Sequence, residues 1–294
     1  MRIGLWIDDS GLLPGAVAGR FRSAAEQGYA RAWLSQRNGW DALTLIAAAA
    51  GVPDIDLGTA VVPTYPRHPL MLASQALTAQ AAIGGRLALG VGPSHRPIIE
   101  DIFGYSFDRP ARHTREYLGV LAPLLRGESV EFHGNSVSVH GAAVTETVEP
   151  APELFLAALG PVMLEIAAEL TAGTIVTWAG RRTVHDYYVP RIGGGEVIAN
   201  VCLSVSDDPV AGRAWVKNAF GRAGDLPSYR AVLDREGVAG PEDTAIIGDE
   251  AEVERAVRQF ADSGASELLV CPVGTPDEQE RTMAVLGELG RRER

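Results

Sequence analysis

Short apolar runs alternate along the chain with longer segments of helical periodicity. The runs are IGLWI at 3–7, ARAWLS at 30–35, IDLGTAVV at 55–62, RLALGVG at 86–92, LFLAA at 154–158, TIVTW at 174–178, VIANVCLS at 197–204 and ELLVCPVG at 267–274. Each is apolar almost without interruption, which is the pattern of a strand covered on both faces. The helical segments between them include AVAGRFRSAAEQG, DALTLIAAAAG, PLMLASQALTAQAAIGG and EVERAVRQFADSG, several of which close on glycine, a helix-stopping residue. Eight such units predict an α/β protein, a (β/α)8 TIM barrel, with a doubly wound open sheet as the alternative. No internal repeat beyond this alternation and no linker divides the chain, so one domain over 1–294 is expected.

Two places break the rhythm. Between the fourth and fifth strands lies an insertion with a predicted helix at 112–126 and a polar, alternating stretch, SVEFHGNSVSVHG at 129–141, that reads as a hairpin. An excursion of this length covers a barrel mouth or makes an interface. At 191–197 the sequence RIGGGEV predicts a flexible loop, because Gly193, Gly194 and Gly195 leave little helix between the sixth and seventh strands.

One βαβ unit stands out, from Leu154 to Trp178. Gly160 and Pro161 separate its first strand from a helix over Val162–Leu170. Proline at the first helical position gives up an amide that has no intrahelical acceptor, and Gly160 has no Cβ to hold a ligand off the backbone. The free amides of that first turn, with the positive end of the helix dipole, suit a phosphate. The same tetrad is equally a plain strand-to-helix turn that binds nothing.

Composition narrows the partners. With 294 residues and 46% hydrophobic content the chain can bury a full core. A net charge of -11 argues against nucleic acid and against an anionic membrane surface. The single lysine is Lys217. Cys202 and Cys271 each sit within an apolar run without metal or redox spacing, so both are expected to be buried and reduced, as in a cytosol. The chain enters its first strand at once and contains no apolar run of spanning length, so a cytoplasmic location is expected.

In a parallel barrel, chemistry sits where strands end and βα loops begin. Those positions are Asp8 and Asp9, Gln36 and Arg37, Val62 to His68, Gly92 to Arg96, Leu159 to Met163, and Trp178 to Arg182. No Ser-His-Asp set and no metal-ligand spacing is found among them, so neither a metal nor a covalent nucleophile is expected, and an organic cofactor is.

The chain resembles the bacterial-luciferase-like flavin and deazaflavin oxidoreductases, and within them the branch that uses coenzyme F420. The matching stretches are GTAVVPTYPRHPLMLASQALTAQAAIGGRLALGVGPSH at 58–95, RPARHTREYLGVLAPLL at 109–125, AALGPVMLEIAAELTAGTIVTW at 157–178 and LPSYRAVLDREGVAGPED at 226–243. The resemblance implies a TIM barrel, F420 or alternatively FMN as cofactor, a small-molecule substrate and a homodimer. It implies a non-proline cis peptide between Ala60 and Val61 behind the cofactor ring. It places Gly92, Pro93 and Ser94 along the ribityl chain, and Ala158, Leu159, Gly160, Pro161 and Met163 around the phosphate; Asp8 and Gln36 complete the expected cofactor-binding set.

The chain also departs from the family pattern. Many relatives carry Ser-Asp-His after the second strand, and this chain has Ser35, Gln36 and Arg37. Gln36 is then expected to meet the carbonyl edge of the ring, and His95 and His68 to be the candidate proton donors, each with a purely structural role as its alternative. Tyr65 and Tyr188 are weaker candidates. The reaction so implied is hydride transfer between the deazaflavin and an electrophilic C=C, C=N or C=O carbon. The alternatives are an FMN-dependent monooxygenase or reductase and a non-catalytic flavin- or deazaflavin-binding protein.

Overall fold

The computed structural model describes residues 1–37, 39–144 and 146–292. In chain order the strands are β1 (Arg2–Ile7), β2 (Arg31–Leu34), β3 (Asp56–Pro63), β4 (Leu87–Gly92), β5 (Val130–His133), β6 (Ser138–Ala142), β7 (Glu153–Ala157), β8 (Gly173–Thr177), β9 (Glu196–Val205), β10 (Ile246–Gly248) and β11 (Glu267–Pro272). The order β9-β11-β1-β2-β3-β4-β7-β8 closes through a β8–β9 pairing, all of it parallel. This is the eight-stranded TIM barrel that the apolar runs predict. The strand β10 was not anticipated: it adds to the far end of β9, where Ile246 pairs with Leu203. Three residues are too few to show a period.

The barrel interior draws one or two side chains from every strand. Trp33, Ala88, Phe155, Ile175, Ile198 and Leu269 form one buried cluster, with Trp6, Ala60 and Val61 packed against it. Room for Trp33 comes from Gly58, where an added Cβ would lie 2.5 Å from the indole ring.

Six strands begin on a charged residue: Arg2, Arg31, Asp56, Glu153, Glu196 and Glu267. Parallel strands bring these first residues to one end of the barrel, where they form an ion-pair network. The Arg31 guanidinium is bonded to Glu153, lies 3.4 Å from Glu267, and sits over the rings of Trp33 and Phe155 at 5.7 and 5.6 Å. Glu267 is fully buried and accepts the indole N–H of Trp33 at 2.7 Å. Burial raises the pKa of this carboxyl, and Arg31 and the Trp33 hydrogen bond oppose that shift only in part. At this end the paired charges leave a cavity of only about 220 Å³, lined by Arg31, Asp56 and Glu153.

The insertion between β4 and β7 contains the expected parts. Its helix runs from Pro110 to Leu125, and β5 pairs antiparallel with β6 as a separate two-stranded sheet. The glycine loop departs from expectation. Helical turns run from Arg181 to Ile192, including a π-helical stretch at Val184–Tyr188, and Gly193 in the left-handed conformation ends them. The glycines stop a helix that is already complete. Among the described residues no helix is long and apolar enough to cross a membrane. Cys202 and Cys271 are buried free thiols, paired in register on β9 and β11.

Candidate active site at the barrel mouth

A cavity of about 820 Å³ opens at the carboxyl ends of the strands β1 to β4. Asp9, Gln36, Arg37, Arg67 and Ser94 line its polar side, and Trp40, Pro63, Pro66, Ile98, Ile102 and Phe103 its apolar side. Of the expected site residues, Gln36 and Ser94 therefore face one space.

The floor beside this cavity is built around β3. The Ala60–Val61 peptide is cis, as the resemblance implies, and the pairing with β4 shifts register between Thr59 and Val62. Trp6 donates its indole N–H to Ser35 at 2.7 Å, and the Ser35 hydroxyl donates in turn to the Ala60 carbonyl at 2.6 Å. This relay ties three neighbouring strands at the height of the cavity.

Gln36 is a brace for its own loop. Its amide nitrogen donates to the carbonyls of Arg37 and Trp40 at 3.0 and 3.3 Å, and its oxygen accepts from Ala42 N–H at 2.8 Å. Arg67 reaches the same oxygen at 3.3 Å and is ion-paired with Asp41. Arg37 bonds Asp8 at 2.6 Å and lies 5.2 Å above the Trp6 ring. Burial pushes the Asp8 carboxyl up, but hydrogen bonds from Ser10 and the Arg37 guanidinium outweigh it and hold the group below the usual carboxylate range. The mouth cations are thus matched by carboxylates on neighbouring loops.

The two candidate histidines lie apart from each other and outside the cavity lining. His68 is exposed and caps the helix Pro69–Ala82, its Nδ1 accepting from Leu70 N–H at 3.4 Å. Its Nε2 is 3.3 Å from the Ser138 carbonyl of β6. His95 packs on Tyr229 at 4.7 Å, with Nδ1 3.2 Å from the Ser228 hydroxyl. Burial lowers its pKa, which favours the neutral ring. Ser228 and Tyr229 belong to the helix Pro227–Glu236, so a distant segment folds across the loop after β4. Tyr229 also contacts Trp178 at 6.3 Å.

His113, which the sequence reading did not single out, is buried with its Nε2 3.0 Å from the Thr64 hydroxyl and its ring stacked on Tyr65 at 3.8 Å. Burial lowers its pKa to about 4, against a small opposing effect of Glu116. Burial pushes the Tyr65 hydroxyl up to about 12. Tyr188 is fully buried with its pKa raised by that burial. Neither phenol lines the cavity.

The turn after β7 is open. Gly160 caps the helix Pro161–Leu170 in an extended conformation, and an added Cβ there would meet nothing within 4 Å. That vacancy and the amides of the first turn fit a phosphate. Ala158 is spent within the fold: its N–H and its carbonyl both bond the Thr174 hydroxyl, at 3.3 and 3.2 Å. Leu159, Pro161 and Met163 flank Gly160, and none of Ala158 to Met163 lines the 820 Å³ cavity. Gly92 is closely packed, with Val61 3.0 Å from its added Cβ. Ser94, with φ 63, and Trp178, with φ 62, are non-glycine residues in the left-handed region. Each lies just beyond a barrel strand, where such strain is characteristic of functional loops.

The model of one protein family, described as luciferase-like monooxygenase, matches residues 4–293. The chain belongs to this family. It is 27% identical over 292 residues to the 5,10-methylenetetrahydromethanopterin reductase of Methanolobus tindarius, covering 93% of this chain and 87% of that protein. Its fold superimposes on the coenzyme F420 dependent tetrahydromethanopterin reductase of Methanopyrus kandleri with a TM-score of 0.82 at 22% identity, covering 98% of this chain and 97% of the other. A type II Baeyer–Villiger monooxygenase from Pseudomonas putida, solved with FMN, superimposes with a TM-score of 0.75 at 15% identity, covering 98% of this chain and 97% of that one.

Proposed function

We propose that this protein is an F420-dependent oxidoreductase acting on a small organic substrate, a single catalytic domain working as a cytoplasmic homodimer. The observation that carries the reading is an open cavity at the carboxyl ends of β1 to β4, beside Ala60 and Val61, in a chain whose relatives include reductases of the same length and fold. Bound F420 would supply a hydride donor or acceptor at its C5 carbon.

The residues divide the remaining work. Gly160 and the first turn of its helix would hold the phosphate through backbone N–H groups and the helix dipole. Gly92, Pro93 and Ser94 would flank the chain leading to the ring, while Ala60 and Val61 would support the ring from behind and Leu159 would lie at the phosphate cradle. Trp40, Ile98, Ile102 and Phe103 form the apolar wall of the cavity and would pack against a substrate. Asp8 and Gln36 set the position of the loop carrying Arg37. Proton delivery by His95 would require its ring, which lies outside the cavity lining against Ser228 and Tyr229 and is held neutral by burial, to reach the substrate and take up a proton first. His68 is better placed to fix the start of its helix.

Titrating the purified protein with F420 and with FMN, followed by absorbance and fluorescence, tests this reading. Saturable F420 binding with FMN bound more weakly is expected, followed by substrate-dependent bleaching or recovery of the deazaflavin chromophore. Binding of neither would end it. The FMN-bound neighbour supports a second reading, a flavin-dependent monooxygenase, for which FMN would bind first and the reduced protein would consume oxygen.

A further inference from the structure

We infer that the hairpin β5–β6 carries a divalent transition-metal site of the zinc type, formed by Glu131, His133 and His140. Glu131 and His133 alternate along one strand, and His140 joins them only when the strands pair. Phe132 pairs with Val139 and His133 with Ser138, and the register then shifts so that Val130 pairs with Ala142, which sets Glu131 opposite His140 and Gly141 at the irregularity. Glu131 and His133, two apart, share that face. Val130 and Val139 are buried and Phe132 packs on the core, which turns the Glu and His side chains outward, at 57%, 65% and 72% exposure.

The donor atoms already converge. One oxygen of Glu131 lies 2.8 Å from His133 Nε2 and 3.7 Å from His140 Nδ1, and the imidazole centroids are 5.0 Å apart. All three donors fall within 4.8 Å of one another. Ligands at about 2.0–2.2 Å from one tetrahedral ion stand roughly 3.3 Å from each other, which exposed side chains reach by small rotations. Two imidazoles and one carboxylate are the donor set of three-ligand zinc sites that keep a fourth position for water, whereas calcium and magnesium take oxygen donors.

A bound ion would have a definite structural effect. The hairpin is a two-stranded sheet without a ladder to the barrel, and such hairpins are marginal alone. An ion held by Glu131 and His133 on one strand and His140 on the other would clamp the two strands together, next to the Ser138 carbonyl that His68 contacts.

Calorimetric titration of the chelator-treated full-length protein with zinc chloride tests the site. One saturable equivalent per chain is expected, with affinity weakened more than about tenfold in His133→Ala and His140→Ala and abolished in the double variant. His185→Gln, a control on another exposed histidine, should titrate like the wild type. Hydrogen exchange at 130–142 should slow with zinc in the wild type and not in the double variant. Unsaturable zinc uptake by the wild type, or equal uptake by the double variant, would overturn the site; intact binding without slowed exchange would overturn the clamp.

Discussion

The two ends of the barrel solve opposite problems. At the amino end six strands begin on charged residues, which pair around the buried Arg31 and Glu267, and the cavity there is small, about 220 Å³. At the carboxyl end the charged residues sit on loops, from the covered Asp9 and Arg67 to the half-exposed Arg37, and border an open cavity of about 820 Å³. Arg31 and Arg37 show the contrast: Arg31 is 3% exposed among Glu153, Glu267 and Asp56, and Arg37 is 48% exposed beside Asp8 and Asp9. One arginine belongs to the structure; the other is available to a ligand.

The largest expected effect breaks the amino end. Arg31→Met leaves the buried Glu267 with only Arg2, at 3.4 Å, and the Trp33 N–H as partners, and should cost about 3 kcal/mol in denaturant unfolding. Arg37→Ala, removing an exposed ion pair, should cost under about 1 kcal/mol and instead change ligand affinity. Equal losses from both would dissolve the distinction.

A pH experiment sharpens it at the wall behind the mouth. The folded protein holds His113 near pKa 4 because burial disfavours its charged form, below the value of about 6.5 expected in the unfolded chain. The unfolded state therefore binds the extra proton between these values. Stability from this group is complete above about pH 6.5 and declines as pH falls toward 4, by up to about 3 kcal/mol. His113→Gln should flatten that slope in thermal melts taken across the window.

Smaller effects are expected at the turn after β7. Gly160 is extended and its missing Cβ faces open space, so Gly160→Leu should fold with wild-type stability. It should raise the F420 dissociation constant about tenfold, or roughly 1.4 kcal/mol; unchanged affinity would remove the cradle from the site. The smallest change is Ser94→Gly. Releasing a left-handed serine should stabilise the fold by no more than about 1 kcal/mol while weakening cofactor binding a few-fold.

Much of this was legible beforehand, for a local reason. Barrel strands covered on both faces are apolar throughout, so β1 to β4, β7 to β9 and β11 announced themselves, and their ends named Gln36 and Ser94. The stretch RRTVHDYYVPRI from 181 to 192 did not read as helix, since its polar and aromatic residues keep no clean 3.6-residue period and part of it is π-helical. Arg67 falls in the named span Val62 to His68, but Trp40 and Phe103 were not singled out; Trp40 reaches the cavity with its indole N–H held by the Leu12 carbonyl of another loop. The contact of His95 with Tyr229 joins residues from separate quarters of the chain.

The amino-acid order by itself determined the barrel, the end at which a site would lie and the turn open to a phosphate, because apolar periodicity and turn chemistry are properties of neighbouring residues. Only the tertiary structure decided that His68 meets the Ser138 carbonyl of β6, that Gln36 meets Arg67, and that Glu131, His133 and His140 face one another. Those outcomes depend on strand register and on loops crossing the mouth, which bring together side chains that no short stretch of sequence places in contact.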